Sequence, residues 1–239
     1  MFGLGTLINT GAILAGGAIG SFTGNLFNAD QQESIQKTCG ISTLFIGIAG
    51  AMEGMLHIEN NAVGSSKAMM VVLCLTIGTV IGELLGIERG FERFGEWLKN
   101  RTGNSGDRNF VNAFVTASLT VCIGAMAIVG SIQDGIMSDY TTLSVKAVLD
   151  FVIIIVMTSS MGRGCIFSAI PVFLFEGTVT VLARLIAPVM TETAIAYLSM
   201  IGSILIFCVG LNLVWGKKVR VANMLPAVVL AVIAAYLPW

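Results

Sequence analysis

From about residue 37 onward the chain alternates long apolar runs with short polar breaks, and this alternation fills most of the sequence. Runs such as 69–85 and 148–161 are too long and too apolar for a soluble core, and together they outnumber what one core could hold. A helix needs roughly 20 apolar residues to cross the hydrocarbon layer, and about eight stretches qualify. The chain therefore reads as an all-α, polytopic transmembrane helix bundle of about eight spans. Charged residues supply 11% of the 239 positions, against about 25% in a soluble domain, so lipid is indicated as the solvent. Spans and connections leave little chain for anything else, so a single integral membrane domain over 1–239 is expected.

Several function classes recede on the same grounds. The net charge is −1 and no basic stripe is present, so nucleic acid is not an expected partner. Cys39, Cys74, Cys122, Cys165 and Cys208 fall inside apolar runs without close pairing, which suggests small apolar residues rather than a disulfide framework or metal cluster. His57 is the only histidine and falls in an outer loop. No Ser–His or Cys–His arrangement, His-based metal site or phosphate-cradling loop is indicated, so neither an enzyme nor a cofactor is expected. The first 27 residues lack the positive start of a signal peptide and read as a retained span.

The spans are drawn at 4–26, 39–57, 67–87, 110–132, 143–162, 165–188, 194–215 and 221–238. The connection after span three carries Arg89, Arg93, Lys99, Arg101 and Arg108; Arg163 follows span five; Lys217, Lys218 and Arg220 follow span seven. These connections share one side, which the positive-inside rule makes cytoplasmic, so both termini are expected outside. Over 87–101, Ile87, Phe91, Phe94 and Leu98 recur at helical spacing opposite Glu88, Glu92, Arg93 and Glu96. That pattern predicts an amphipathic helix on the cytoplasmic interface, or one continuing span three into water. Residues 103–107 read as a flexible linker.

Glycines at four-residue steps mark helix-packing faces: Gly16, Gly20 and Gly24 in span one, and Gly78, Gly82, Gly86 and Gly90 in and after span three. Without a Cβ such faces let backbones approach in lipid. Spans one and three are expected to pack on each other or on a second subunit, and a homo-oligomer, with a dimer favoured, follows. The segment from Gly40 to Ile48 in span two resembles that from Ser203 to Leu211 in span seven, and Gly5-Thr-Leu resembles Gly177-Thr-Val in spans one and six. An offset of five spans inverts one copy relative to the other, the arrangement of many secondary transporters.

Charge inside the membrane is the sharpest local signal, because an ionised side chain at mid-bilayer costs about 3 kcal/mol or more. Glu176 sits near the centre of span six, after Pro171 and before Gly177, and reads as a proton- or cation-binding carboxylate or as a protonated, hydrogen-bonded structural one. Lys146 and Asp150 share a helix face in span five and can pair, although Lys146 could instead snorkel outward. Arg184 lies two turns beyond Glu176, toward the outer end. Asn9, Thr116, Ser118, Asn212 and Asn223 are further candidates for lining a solute or ion site. Many membrane hydroxyls instead bond their own helix, whereas Asn carries donors and an acceptor that need partners.

At the level of whole motifs the chain resembles the bacterial membrane family catalogued as domain of unknown function 554. The resemblance rests on Gly5-Thr-Leu-Ile-Asn-Thr-Gly-Ala, Gly82-Glu-Leu-Leu-Gly-Ile-Glu88, Phe114-Val-Thr-Ala-Ser-Leu, the run from Ile123 to Ser131 with Asp134-Gly, Lys146-Ala-Val-Leu-Asp150, Phe167-Ser-Ala-Ile-Pro171, Gly210-Leu-Asn-Leu213 and Arg220-Val-Ala-Asn-Met-Leu-Pro226. It covers nearly the full length. It implies a polytopic inner-membrane protein and brings no catalytic residues. The family pattern has a glutamine before the glycine of span six, where this chain has Glu176, so the resemblance does not extend a carboxylate requirement to that position.

The expected function is secondary transport of a small solute or ion across the bacterial inner membrane, with Glu176 and the Lys146–Asp150 pair as its polar centre. The alternatives are an oligomeric channel and a membrane scaffold or sensor acting through the 87–101 helix. The orientation has a direct test. A cysteine placed at Ser138 is expected to react with an impermeant thiol reagent in intact cells, and one at Ser105 to stay unlabelled; the reverse pattern would overturn the topology.

Overall fold

The computed structural model describes residues 3–24, 26–59, 62–104, 106–107 and 109–237. Ser105 and Arg108 lie outside these residues. Eleven helices are described: α1 (Leu4–Gly24), α2 (Ala29–Met55), α3 (Ala68–Leu85), α4 (Ile87–Arg101), α5 (Phe110–Cys122), α6 (Ala125–Met137), α7 (Thr141–Met161), α8 (Ala169–Val181), α9 (Ala183–Ile186), α10 (Glu192–Trp215) and α11 (Pro226–Ala234). A short antiparallel hairpin, β1 (Leu56–Glu59) and β2 (Ala62–Ser65), joins α2 to α3 where a loop was expected, and the His57 backbone lies in it.

Six helical segments are long and apolar enough to cross a membrane: α1, α2, α3, α7, the segment Arg163–Val181 that ends in α8, and α10. The stretch expected as span four is instead the bent pair α5 and α6, whose axes meet at 61°. Gly124 sits at the break, where glycine disfavours continuation. The stretch expected as span eight opens with a 3₁₀ turn, Val221–Met224, and becomes the nine-residue α11 only at Pro226. Proline suits a first helical position, where its missing N–H is not needed. The eight expected stretches thus resolve into six long segments, one broken span and one short helix.

The helices gather in two compact units. One comprises Met1–Cys39, Arg89–Cys122 and Met126–Ala187; the other comprises Gly40–Glu88, Ile123–Ala125 and Pro188–Trp239.

In the first unit α1 is built inside out relative to a soluble helix. Its buried face is Gly5, Thr6, Asn9, Ile13, Gly16, Gly17, Gly20 and Gly24, while Leu7, Leu14, Ile19 and Phe22 are exposed. Lipid accepts the large apolar side chains, and the small ones admit a neighbouring backbone. A Cβ on Gly16 or Gly20 would stand 2.7 Å from the carbonyl oxygens of Phe151 and Ile155, and one on Gly24 3.0 Å from that of Ser159. These contacts ascend along both helices, so α1 and α7 run parallel. Contacts of Gly17 with Ile166 and of Thr6 with Thr180 run oppositely, so α8 is antiparallel to α1. At the start of α7, hydrogen bonds from the Thr141 hydroxyl and amide hold the Asp139 carboxyl below its usual range.

In the second unit α2 lies antiparallel to α10, and α3 antiparallel to α11. A Cβ on Gly47 would stand 2.5 Å from the Phe207 amide nitrogen, and one on Gly40 or Gly54 would crowd Val214 or Met200. Gly40, Gly47 and Gly54 are seven apart, two turns along one face of α2. The Gly78 position packs on Ala227, and the Gly82 position lies directly on the Asn223 carbonyl. Gly86 follows four residues on. It caps α3 in the left-handed region (φ 63°) and donates its N–H to Glu83 and Gly82, which frees α4 from α3 rather than continuing it. The two glycine faces were expected to meet each other or a second subunit; instead α7 covers one and the 221–234 segment covers the other.

An isobutyl group at Gly82 is expected to separate α3 from Asn223 and to lower stability by at least about 1–3 kcal/mol, the usual cost of overpacking. The comparison is Gly90→Ala, because a Cβ at Gly90 meets nothing within 4 Å. Thermal unfolding in detergent should show a large loss for Gly82→Leu and none for Gly90→Ala; equal melting would contradict the packing role.

Candidate functional site

Four of the expected site residues converge inside the first unit. Asn9 from α1, Lys146 and Asp150 from α7 and Glu176 from α8 are 0%, 6%, 4% and 1% exposed. Lys146 and Asp150 stand one turn apart on α7 and form an ion pair. The Lys146 ammonium lies 3.4 Å from Glu176 Oε1, and the Asn9 amide donates to the same oxygen at 2.8 Å.

The fourth partner is backbone. Lys146 Nζ donates to the Val121 carbonyl at 2.9 Å. Val121 occupies the last turn of α5, where carbonyls lack intrahelical donors and the helix carries partial negative charge. The break after Cys122 therefore makes an acceptor at the depth of the cluster. Broken helices are tolerated in membranes when their free backbone groups find such partners.

The charges do not balance. One ammonium faces two carboxyl groups, so with both ionised the buried cluster carries one excess negative charge. Asn9 Oδ1 and Glu176 Oε2 are buried and have no hydrogen-bond partner among the described residues. One further positive charge, a proton or a small cation, is what this arrangement can accept.

A second polar group lies nearer the N-terminal end of α1. Asp134 on α6 is fully buried and accepts the Gly5 N–H at 2.9 Å, placing a carboxylate at the positive end of the α1 dipole. Sequence reading ended span four at 132 and missed Asp134 as a buried residue. The signal available was the helical spacing of Asp134 from Ser131 across that boundary.

The remaining candidates go elsewhere. On α5, Ser118 donates to the Phe114 carbonyl at 2.6 Å, and Thr116 is buried with its carbonyl accepting Thr120. Asn212 and Asn223, expected as lining, serve backbone in the second unit. Asn212 Oδ1 accepts the Lys218 and Val219 amides, each at 2.9 Å, and its Nδ2 donates to the Val219 carbonyl at 2.7 Å. Asn223 Oδ1 accepts the Glu88 N–H at 2.7 Å, and Glu88 in turn accepts the Ala222 N–H and pairs with Lys217 at 2.7 Å. Arg220 grips both oxygens of Glu83 at 2.9 and 3.1 Å. Arg184, expected on the face of Glu176, stands exposed on the separate α9, because the chain leaves helical geometry at Leu182.

Fold and cluster together define a polytopic α-helical membrane protein with a charged polar centre. The chain belongs to the family described as "Protein of unknown function (DUF554)", which it matches over residues 4–236. It is similar to the uncharacterized membrane protein YdfK of Bacillus subtilis (strain 168), with 26% identity over 226 residues that cover 95% of this chain and 93% of the relative. It is also similar to the uncharacterized protein YqgA of Escherichia coli (strain K12), with 27% identity over 242 residues that cover 99% and 98% of the two chains. No solved structure matches.

Removing the cation from a buried cluster leaves its carboxylates opposed. Lys146→Met is expected to cost about 3–5 kcal/mol of stability, the usual result of orphaning a buried charge. Adding Asp150→Asn removes one of the stranded charges and should restore most of the loss. Melting of the single and double variants in detergent checks this, and a double variant no more stable than the single would contradict the pairing.

Proposed function

We propose that this chain is a non-enzymatic secondary transporter that carries a small solute across the bacterial inner membrane, coupled to a proton held at Glu176. The observation that carries the reading is the Asn9–Glu176 contact. Asn9 Nδ2 already donates to Glu176 Oε1, while Glu176 Oε2 and Asn9 Oδ1 are both left over. One proton on Oε2, donated to Oδ1, would complete a cyclic acid–amide pair and cancel the excess charge of the cluster. Loss of that proton would leave a buried charge next to Lys146, so occupancy of the site and the packing of α1 on α8 are coupled.

Two further features support a carrier. Ile13, Ile154 and Met157 are wholly buried on α1 and α7, one to two helical turns past Asn9 and Asp150, and this apolar layer favours alternating access over an open pore. The inverted repeat is supported by reciprocal packing: Gly47 meets Phe207, and Gly210 meets Leu44, so each glycine packs on the counterpart of the other's partner. Counterpart spans α1 with α8, α2 with α10, and α3 with α11 each pack antiparallel, as a two-fold axis in the membrane plane requires. Parallel α1 and α7 fit an even number of crossings from the start of one to the start of the other, and the Lys- and Arg-bearing connections favour the side that leaves both termini outside. Any homo-oligomer in this reading uses the lipid-facing surfaces, since the Gly16–Gly24 and Gly78–Gly82 faces are filled from within.

Glu176→Gln tests the coupling. A glutamine offers the same donor and acceptor as the neutral acid, so the variant should fold and insert normally. In vesicles with an imposed pH gradient and a panel of small solutes, gradient-driven accumulation should be abolished while solute exchange persists. Unchanged pH-driven accumulation in the variant would remove Glu176 from the mechanism.

A further inference from the structure

At the end of α1 and α7 away from the Asn9–Glu176 pair, the first unit opens into a polar cleft of about 240 Å³. Its wall includes Ser21 of α1, Gln32 of α2, Asp107, and Thr158, Gly162 and Arg163 at the end of α7. We infer that this cleft binds a small zwitterion, a solute carrying one carboxylate and one ammonium group such as a free amino acid. The inference rests on the transport reading for the claim that this ligand is cargo.

The wall supplies both charges without spending them. Neither Arg163 nor Asp107 forms an ion pair among the described residues, although both face the same cleft. Asp107 Oδ1 accepts the Asn109 N–H at 2.9 Å. Its other oxygen lies over the turn at Gly162, 3.5 Å from where a Cβ would stand. Gly162 holds φ 101° and ψ −178° and donates its N–H to the Thr158 carbonyl as α7 ends. A carboxylate beside the negative end of a helix is poorly placed unless a cation joins it, so this corner suits an ammonium group. Arg163, leaving the same turn, offers a planar fork that matches a carboxylate.

Hydroxyls complete the site. Ser21 Oγ is buried without a hydrogen-bond partner among the described residues and lines the cleft, and a buried hydroxyl left without a partner is costly. Thr158, 2% exposed, lines the cleft too, its hydroxyl beside the Cys165 thiol. Size narrows the class. At about 240 Å³ the cleft lies below the range of drug-sized sites, which begins at about 300 Å³. A simple anion would meet Asp107 and a simple cation Arg163, so each half alone is opposed where the zwitterion is matched.

The test is calorimetric titration of the full chain in lipid nanodiscs with glycine, alanine and serine, and with acetate and methylammonium as the two halves. The amino acids should bind saturably and the halves should not at the same concentrations. Arg163→Gln and Asp107→Asn should each weaken amino-acid binding at least about tenfold, as loss of a charge-assisted hydrogen bond predicts. Thr158→Val should weaken it less, and Gly90→Ala, where a Cβ meets nothing within 4 Å, should leave it intact. No saturable binding of the three amino acids, acetate binding as tightly as glycine, or wild-type binding by both charge variants would overturn the site. The two readings fail separately: amino-acid binding without flux in vesicles would sink transport and leave the site, whereas pH-driven flux of another solute without amino-acid binding would sink the site and leave transport.

Discussion

An ammonium group in a lipid-embedded bundle must be surrounded by acceptors, and meeting that demand for Lys146 organises the first unit. Its partners come from three helices: Asp150 one turn along α7, the Val121 carbonyl at the end of α5, and Glu176 on α8. Asn9 of α1 then joins through Glu176. If α5 ran unbroken, Val121 would spend its carbonyl within the helix, and the ammonium would lose an acceptor. The break in α5, the pairing on α7 and the docking of α1 are thus parts of one solution to one buried charge.

That solution depends on α1 coming close. Gly16, Gly20 and Gly24 let it lie on the carbonyls of α7, which sets Asn9 at the depth of Glu176. A bulky residue on that face would move the amide away from the carboxyl as well as loosen the packing. Leu7, Leu14, Ile19 and Phe22 of α1 face outward for the complementary reason, since lipid solvates them and the glycine face leaves no room for them; Ile13 alone of the large apolar residues on this helix is wholly buried among the described residues. Backbone approach and polar contact are therefore bound together on one helix face.

The second unit spends its polar residues differently. Glu83, Glu88, Lys217, Arg220, Asn212 and Asn223 tie the turns around α3, α10 and the 221–234 segment to one another. Asn223 shows the economy of it: its carbonyl lies against Gly82 while its side chain receives the Glu88 amide. These are anchoring contacts. Among the described residues, the first unit keeps buried polar atoms without partners at the Asn9–Glu176 pair and again at Ser21.

Hydropathy and charge alone determined that the chain lies in a membrane, where most of its long helices run, and that α4 is amphipathic, because each is a property of adjacent residues. The i,i+4 spacing likewise made the Lys146–Asp150 pair legible, and the four-residue steps marked the Gly16 and Gly78 faces as packing surfaces. What those faces meet was not legible. Nor were the burial of Asp134, the use of Asn212 and Asn223 as backbone anchors, or the capture of Lys146 by a carbonyl 25 residues away. Each depends on which helix lies beside which, and a glycine face or an asparagine amide accepts many partners equally well. Only the tertiary structure chooses among them, because only there does the requirement that every buried charge and every freed carbonyl find a partner apply to all the helices at once.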